Sequence, residues 1–201
     1  MKKYLHRLLT LVFGVIFCFG ISGITVNAES IDPEKSASLK IVYANDGVNF
    51  EGLEVQLYRV AAVTDGYTFQ LEAPFDKYSV NINDVESSDE WRSLAITLSS
   101  YAVADSLTPT AKNITNENGV AEFTALRPGM YLTMGIREQV GGDFVVFENF
   151  LTVIPYPSND GESYLYDLTV YPKCRVTTPQ EGMVPYKVIK QWKDDGKTQP
   201  T

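Results

Sequence analysis

The sequence is nearly empty of the residues that carry most catalysis and most covalent stapling. It holds one histidine, His6, and two cysteines, Cys18 and Cys174. His6 and Cys18 both fall in the opening segment "MKKYLHRLLTLVFGVIFCFGISGITVNAES". There Lys2, Lys3 and Arg7 form a positive n-region, Leu8 to Val26 is apolar, and Val26-Asn27-Ala28 has the small-x-small form of a cleavage site. This is the pattern of a secretory signal peptide over residues 1–28. The apolar run is also near the length of a bilayer span, so an uncleaved anchor is the alternative. Phe17 is bulky where a lipoprotein signal at Cys18 needs a small residue. With the segment removed, no imidazole remains. Ser-His-Asp and Cys-His catalysis are then excluded, as are zinc sites with histidine ligands. Cys174 becomes the only thiol, so no intrachain disulfide forms, and stability must come from packing or from another kind of cross-link.

Positive charge is scarce as well. After residue 28 there are 14 basic against 25 acidic residues, a net of −11. Such a surface repels nucleic acid and anionic membranes and suits an extracellular protein. The carboxylates are numerous but scattered, with no pair in a motif context, which argues against a carbohydrate-active enzyme. Neither a cofactor nor a metal is expected.

The 173 residues after the signal suffice for one ordinary domain. "SLKIVYANDGVNFEGLEVQLYRV" alternates apolar and polar residues. Leu39, Ile41 and Tyr43 share one face, and Leu53, Val55 and Leu57 repeat the pattern after Gly47 and Gly52, as in two strands of a half-buried antiparallel sheet. "YTFQLE" is a further short strand. From Ser88 to Asp105 the period changes. Trp91, Leu94, Ala95, Leu98, Tyr101 and Ala102 recur at three and four, with Ser87 and Glu90 spaced as a capping box, predicting an amphipathic helix laid against a sheet and ended by Thr108-Pro109. Strands resume at Val120–Phe123 after the Asn118-Gly119 turn, at Met130–Met134 after Arg127-Pro128-Gly129, and in "DFVVFENFLTVIPYP" and "SYLYDLTVYPK". Short strands with Gly/Pro turns at this spacing argue a mainly β fold, an antiparallel β-sandwich with one inserted helix. After Lys173 the chain turns polar, and "YKVIKQWKDDG" begins a new alternating strand.

Taken together, these segments resemble the backbone subunits of Gram-positive sortase-assembled pili. "YDLTVYPK" resembles their pilin motif. "NGVAEFTALRPGMYL" and "GLEVQLYRVAAV" resemble strands of their Ig-like domains, related to the B repeats of collagen adhesin, and "YKVIKQWKDDG" is similar to the first strand of the next such domain. The resemblance implies a signal peptide (1–28), an Ig-like domain (29–175) ending in the pilin motif Tyr171-Pro172-Lys173, a linker (176–183) and the start of a second domain (184–201). It implies a cell-surface, pilus or cell-wall location, with a class C sortase and other pilin subunits as partners. Lys173 would be the acceptor amine. The sortase holds another subunit as a thioester, the amine attacks it, and an intermolecular isopeptide bond results. A free lysine has a pKa of about 10.4, so the enzyme must receive this amine in a dry site or beside a base. Pro172 cannot donate to a sheet, so pairing is expected to end there and to present Lys173 at the strand end, with Tyr171 packed beside the amine stem. Cys174 reads either as a small, partly buried side chain or as a reactive thiol.

Domains of this family often carry an internal Lys–Asn isopeptide bond, formed when a buried neutral lysine meets an amide polarised by a protonated acid. Lys190 occupies the lysine position of the second domain, and its partners would lie past residue 201. In the first domain the candidates are Lys40 and Asn149. Gly135 stands where the acid of "G-x-Y-x-x-x-E" belongs, so no bond is expected there, and intact mass would be short by one ammonia if one formed. The sequence has no LPxTG-like motif or anchoring tail, which leads to the expectation of either a fragment of a longer pilin or a truncated product that accepts an incoming chain and stops the fibre. The alternative function is a wall-anchored adhesin that binds a host surface ligand, with "YPSNDGESYLY" as a candidate contact. Lys173→Ala separates the two readings.

Overall fold

The computed structural model describes residues 30–178 apart from 141, 160 and 162. The signal segment, Lys190 and the proposed second-domain strand lie outside the described residues. In chain order the elements are β1 (Ala37–Val42), a small hairpin of β2 (Ala44–Asn45) and β3 (Val48–Asn49), β4 (Glu54–Thr64), β5 (Thr68–Leu71), and α1 (Ser88–Ala104). Then come β6 (Ala111–Ile114), β7 (Val120–Leu126), β8 (Gly129–Thr133), β9 (Ile136–Val140), β10 (Asp143–Phe147) and β11 (Phe150–Ile154). A second short pair, β12 (Tyr156–Pro157) and β13 (Tyr164–Leu165), precedes β14 (Asp167–Val170) and β15 (Cys174–Thr177).

The fold is an Ig-like β-sandwich with one helix packed outside it. One sheet has the order β14-β1-β7, with β1 parallel to β14 and antiparallel to β7. The other has the order β11-β8-β4-β5, with β6 against the first half of β4. A third sheet, β9-β10-β15, extends the sandwich at one end. Alternation in β1 sends Leu39 and Ile41 inward and leaves Lys40 outside. These residues and Phe123 of β7 meet Val55, Leu57, Tyr131 and Phe147 in the first core.

The other face of β4 and β8 is also covered. Tyr58, Val60, Met130 and Leu132 pack against Leu94, Ala95, Leu98 and Ala102 of α1 in a second core. Strand β8 lies between both cores, and all five of its residues are buried. Gly129 is required at its start, because a Cβ there would stand 2.5 Å from the Ala61 carbonyl oxygen. Each buried leucine contributes roughly 1.5–3 kcal/mol through removal of apolar surface from water.

The helix begins where expected. Ser87 accepts the Glu90 N–H at 3.2 Å, and the Glu90 carboxylate accepts the Ser87 N–H at 2.8 Å. It ends earlier than Pro109, by a different device. Ser106 adopts φ 50°, its N–H reaches the Val103 carbonyl at 3.2 Å, and the Leu107 N–H reaches the Ala102 carbonyl at 2.8 Å. This is the Schellman pairing, which satisfies the last carbonyls and turns the chain away before the proline arrives.

The structure also extends pairing past Arg175. β15 runs to Thr177 and is paired along its length with β10, so the first two residues of the stretch read as linker belong to the sheet.

Candidate functional site

The pilin-like motif lies where the chain leaves one sheet for another. The parallel ladder between β1 and β14 ends at Ile41–Val170. Tyr171, Pro172 and Lys173 bridge to β15, whose first residue, Cys174, pairs with Phe147. Pro172 has no N–H to continue a ladder. The Lys173 carbonyl accepts the Glu148 N–H at 3.4 Å, so its backbone is held while its side chain is exposed. No ion pair ties the Lys173 amine to a carboxylate among the described residues. Tyr171 is 72% exposed, just past the point where the ladder to β1 ends at Val170.

Lys173 borders a groove of about 390 Å³. One wall comes from the first turns of α1, with Trp91 and Arg92. The other is the β10–β11 corner, Glu148 to Leu151. A second depression, about 480 Å³, shares Trp91, Phe150, Leu151 and Val170 with the first. It follows β11 and β14 to Tyr67 and Tyr156. Among the described residues each of these two strands pairs on one side only, β11 with β8 and β14 with β1. The result is an apolar trough beside two open strand edges, with an amine at one end.

The corner that forms the trough is fixed by polar contacts. The Asn149 side-chain carbonyl accepts the Gly135 N–H at 2.5 Å, and its amide donates to the Ser99 hydroxyl on α1 at 2.7 Å. Glu148 accepts from Arg92 at 3.3 Å and from Arg175 at 3.1 Å. Its carboxylate is thus engaged by two guanidiniums. Partial burial, with the nearby Asp46 charge, pushes the Cys174 thiol above its ordinary pKa, which disfavours the reactive thiolate.

The structure does not join the two residues considered for an internal cross-link. Lys40 is 48% exposed on β1 and lies 3.4 Å from Glu122 of the neighbouring strand. Asn149 is committed to Gly135 and Ser99, and no hydrogen bond links it to Lys40. Sequence reasoning passed over Trp91, Arg92, Glu148 and Phe150 as site residues. Trp91 read as the first member of a core stripe, yet it is only half-buried and faces the groove.

No family model matches this sequence, and no curated protein matches it. The solved structures it is similar to include pilins. The full-length major pilin SpaD from Corynebacterium diphtheriae is 17% identical, over 72% of this chain and 31% of that one, with a TM-score of 0.43. The T6 backbone pilin of serotype M6 Streptococcus pyogenes is 20% identical, over 73% of this chain and 29% of that one, with a TM-score of 0.45. A Corynebacterium diphtheriae SpaA pilin–signal peptide complex is 22% identical, over 71% of this chain and 99% of that one, with a TM-score of 0.40. The chain thus spans about a third of the length of the first two.

Proposed function

We propose that this protein is a structural subunit of a cell-surface pilus, and that Lys173 is the amine through which another subunit is attached. The observation that carries the reading is the placement of Lys173, exposed and, among the described residues, unpaired by any carboxylate, at the end of an apolar trough beside strand edges that no described strand covers. An extended peptide can lie along such edges by strand addition, with its apolar side chains in the trough. The incoming subunit arrives as a thioester on the cysteine of a class C sortase. The deprotonated Lys173 nitrogen attacks the thioester carbonyl carbon, the C–S bond breaks, the sortase thiol leaves, and an amide forms. The proton of the amine goes to a base that the sortase supplies, since Glu148 is already held between Arg92 and Arg175.

The half-exposed position of Lys40, beside Glu122, supports the view that the first domain has no internal isopeptide bond, because that reaction needs a desolvated amine. The test of the main reading is reconstitution of the chain with a class C sortase and a pilin carrying its sorting signal. A covalent adduct is expected on denaturing gels, with the linkage at Lys173 by mass spectrometry, and its loss is expected in Lys173→Ala and Lys173→Arg. Adducts that persist undiminished in both variants would remove Lys173 from the reaction.

A further inference from the structure

We propose that the outer face of the β9-β10-β15 sheet, with the helix rim beside it, is a binding site for an acidic peptide segment of a partner protein. The register sets Arg137 of β9 and Arg175 of β15 on either side of Val146 of β10. Residues opposite one another across a ladder share a face. Val145 and Phe147, the neighbours of Val146 along β10, point into the first core, so the two arginines stand on the outward face. Arg92 and Ile96 of α1 complete a depression of about 560 Å³. Three of the ten Lys and Arg residues between positions 30 and 178 therefore line one concavity, in a stretch with 21 Asp and Glu.

The carboxylates already present leave donors free. Glu148 takes the Nε of Arg92 and the Nε of Arg175, and Asp89 takes Nη1 of Arg92 at 2.9 Å. Arg137 has no carboxylate partner among the described residues; its guanidinium carbon stands 4.0 Å above the centre of the Phe144 ring. A guanidinium presents five N–H donors in a planar fork that fits a carboxylate. Arg137 and the outer nitrogens of Arg175, whose side chain is 72% exposed, are thus open to an incoming acid. Between them Val146 and Ile96, the latter 53% exposed, offer an apolar contact. Arginines around an apolar centre are the composition of an interface hot spot. The ligand that fits is an extended segment with carboxylates flanking an apolar side chain. The site shares Arg92, Glu148 and Asn149 with the Lys173 groove, so a partner held here is held beside the amine.

The test is fluorescence anisotropy of the full chain with a labelled Glu-Ser-Leu-Ser-Glu peptide (the Glu-Leu peptide), whose two carboxylates and leucine share one face when extended, against its Lys-Ser-Leu-Ser-Lys counterpart. The Glu-Leu peptide is expected to bind, more weakly by about fivefold when salt rises from about 50 to 300 mM. The double variant Arg137→Glu, Arg175→Glu should lose about tenfold or more in affinity, whereas Lys40→Glu with Lys112→Glu, the same charge change placed on β1 and β6, should not. Arg137→Gln with Arg175→Gln gives a milder pair should the charge reversal impair folding, and melting curves identify that case. Equal binding of both peptides, retained affinity in the arginine variants, or no anisotropy change up to millimolar protein would each overturn the proposal. The readout needs no sortase, so its outcome is independent of the acceptor role of Lys173.

Discussion

Leu98→Ala tests whether the helix is an integral part of the fold. Leu98 is fully buried at the centre of the second core, between α1 and the outer face of β4 and β8. Its removal loses the transfer free energy of the side chain and leaves a cavity that β8 cannot fill, because β8 is packed from both sides. Comparable substitutions cost ~2.7–5 kcal/mol, and ~3 kcal/mol is expected here. In a domain of this size that corresponds to a fall in melting temperature of about 6–12 °C. The companion variant Ile96→Ala, on the exposed side of the same helix, should change stability by no more than ~0.5 kcal/mol. Thermal and urea unfolding followed by far-ultraviolet circular dichroism measure both. A Leu98→Ala melting temperature within about 2 °C of the parent would refute the reasoning. So would a separate early loss of helical signal, since it would show that α1 melts independently and cannot serve as a fixed wall for the groove beside Lys173.

Gly119→Ala should destabilise by ~2–4 kcal/mol, combining a left-handed backbone with a Cβ driven into the Tyr43 carbonyl. Gly66→Ala has a similar φ but open space around it, so urea titration should show only the backbone part, ~1–2 kcal/mol. The Glu90 carboxyl lies below its ordinary pKa because it accepts the Glu86 and Ser87 backbone N–H groups. Its contribution to stability is therefore complete above about pH 4.3 and is lost as pH falls through the lower folded value; Glu90→Gln should flatten that part of a melting-temperature profile taken between about pH 6 and pH 3.

The parts of the fold that could be read from the sequence are those whose side chains carry the message. The stripe from Leu94 to Ala102 and the alternation of Leu39, Ile41 and Tyr43 report which face is buried, and Leu94, Ala95, Leu98 and Ala102 on the helix and all three strand residues lie in the core as expected. Strands whose partner is mainly a backbone ladder were silent. β6 exposes three of its four residues, and β9 and β15 are short and polar, so neither period nor burial announces them. The parallel pairing of β1 with β14 joins residues about 129 positions apart and leaves no local trace. The same holds for the site. Lys173 is proposed from its neighbours in sequence, but the groove it borders left no sequence signal. Trp91, Glu148 and Phe150 come from α1, the β10–β11 corner and β11, and contacts between distant residues, the Asn149 hydrogen bonds to Ser99 and Gly135 and the Arg92–Glu148 ion pair among them, bring these together.

The parallel pairing of β1 and β14 has a mechanical corollary. The chain enters the sandwich at one pole of this pair and reaches Lys173 at the other. Tension applied between the entry of β1 and the lysine would slide the two strands lengthwise. Four paired positions, Ser38–Asp167 to Ile41–Val170, would then have to yield simultaneously instead of peeling apart one by one. In the fibre proposed above, a pull through that amine would load this strand pair in shear.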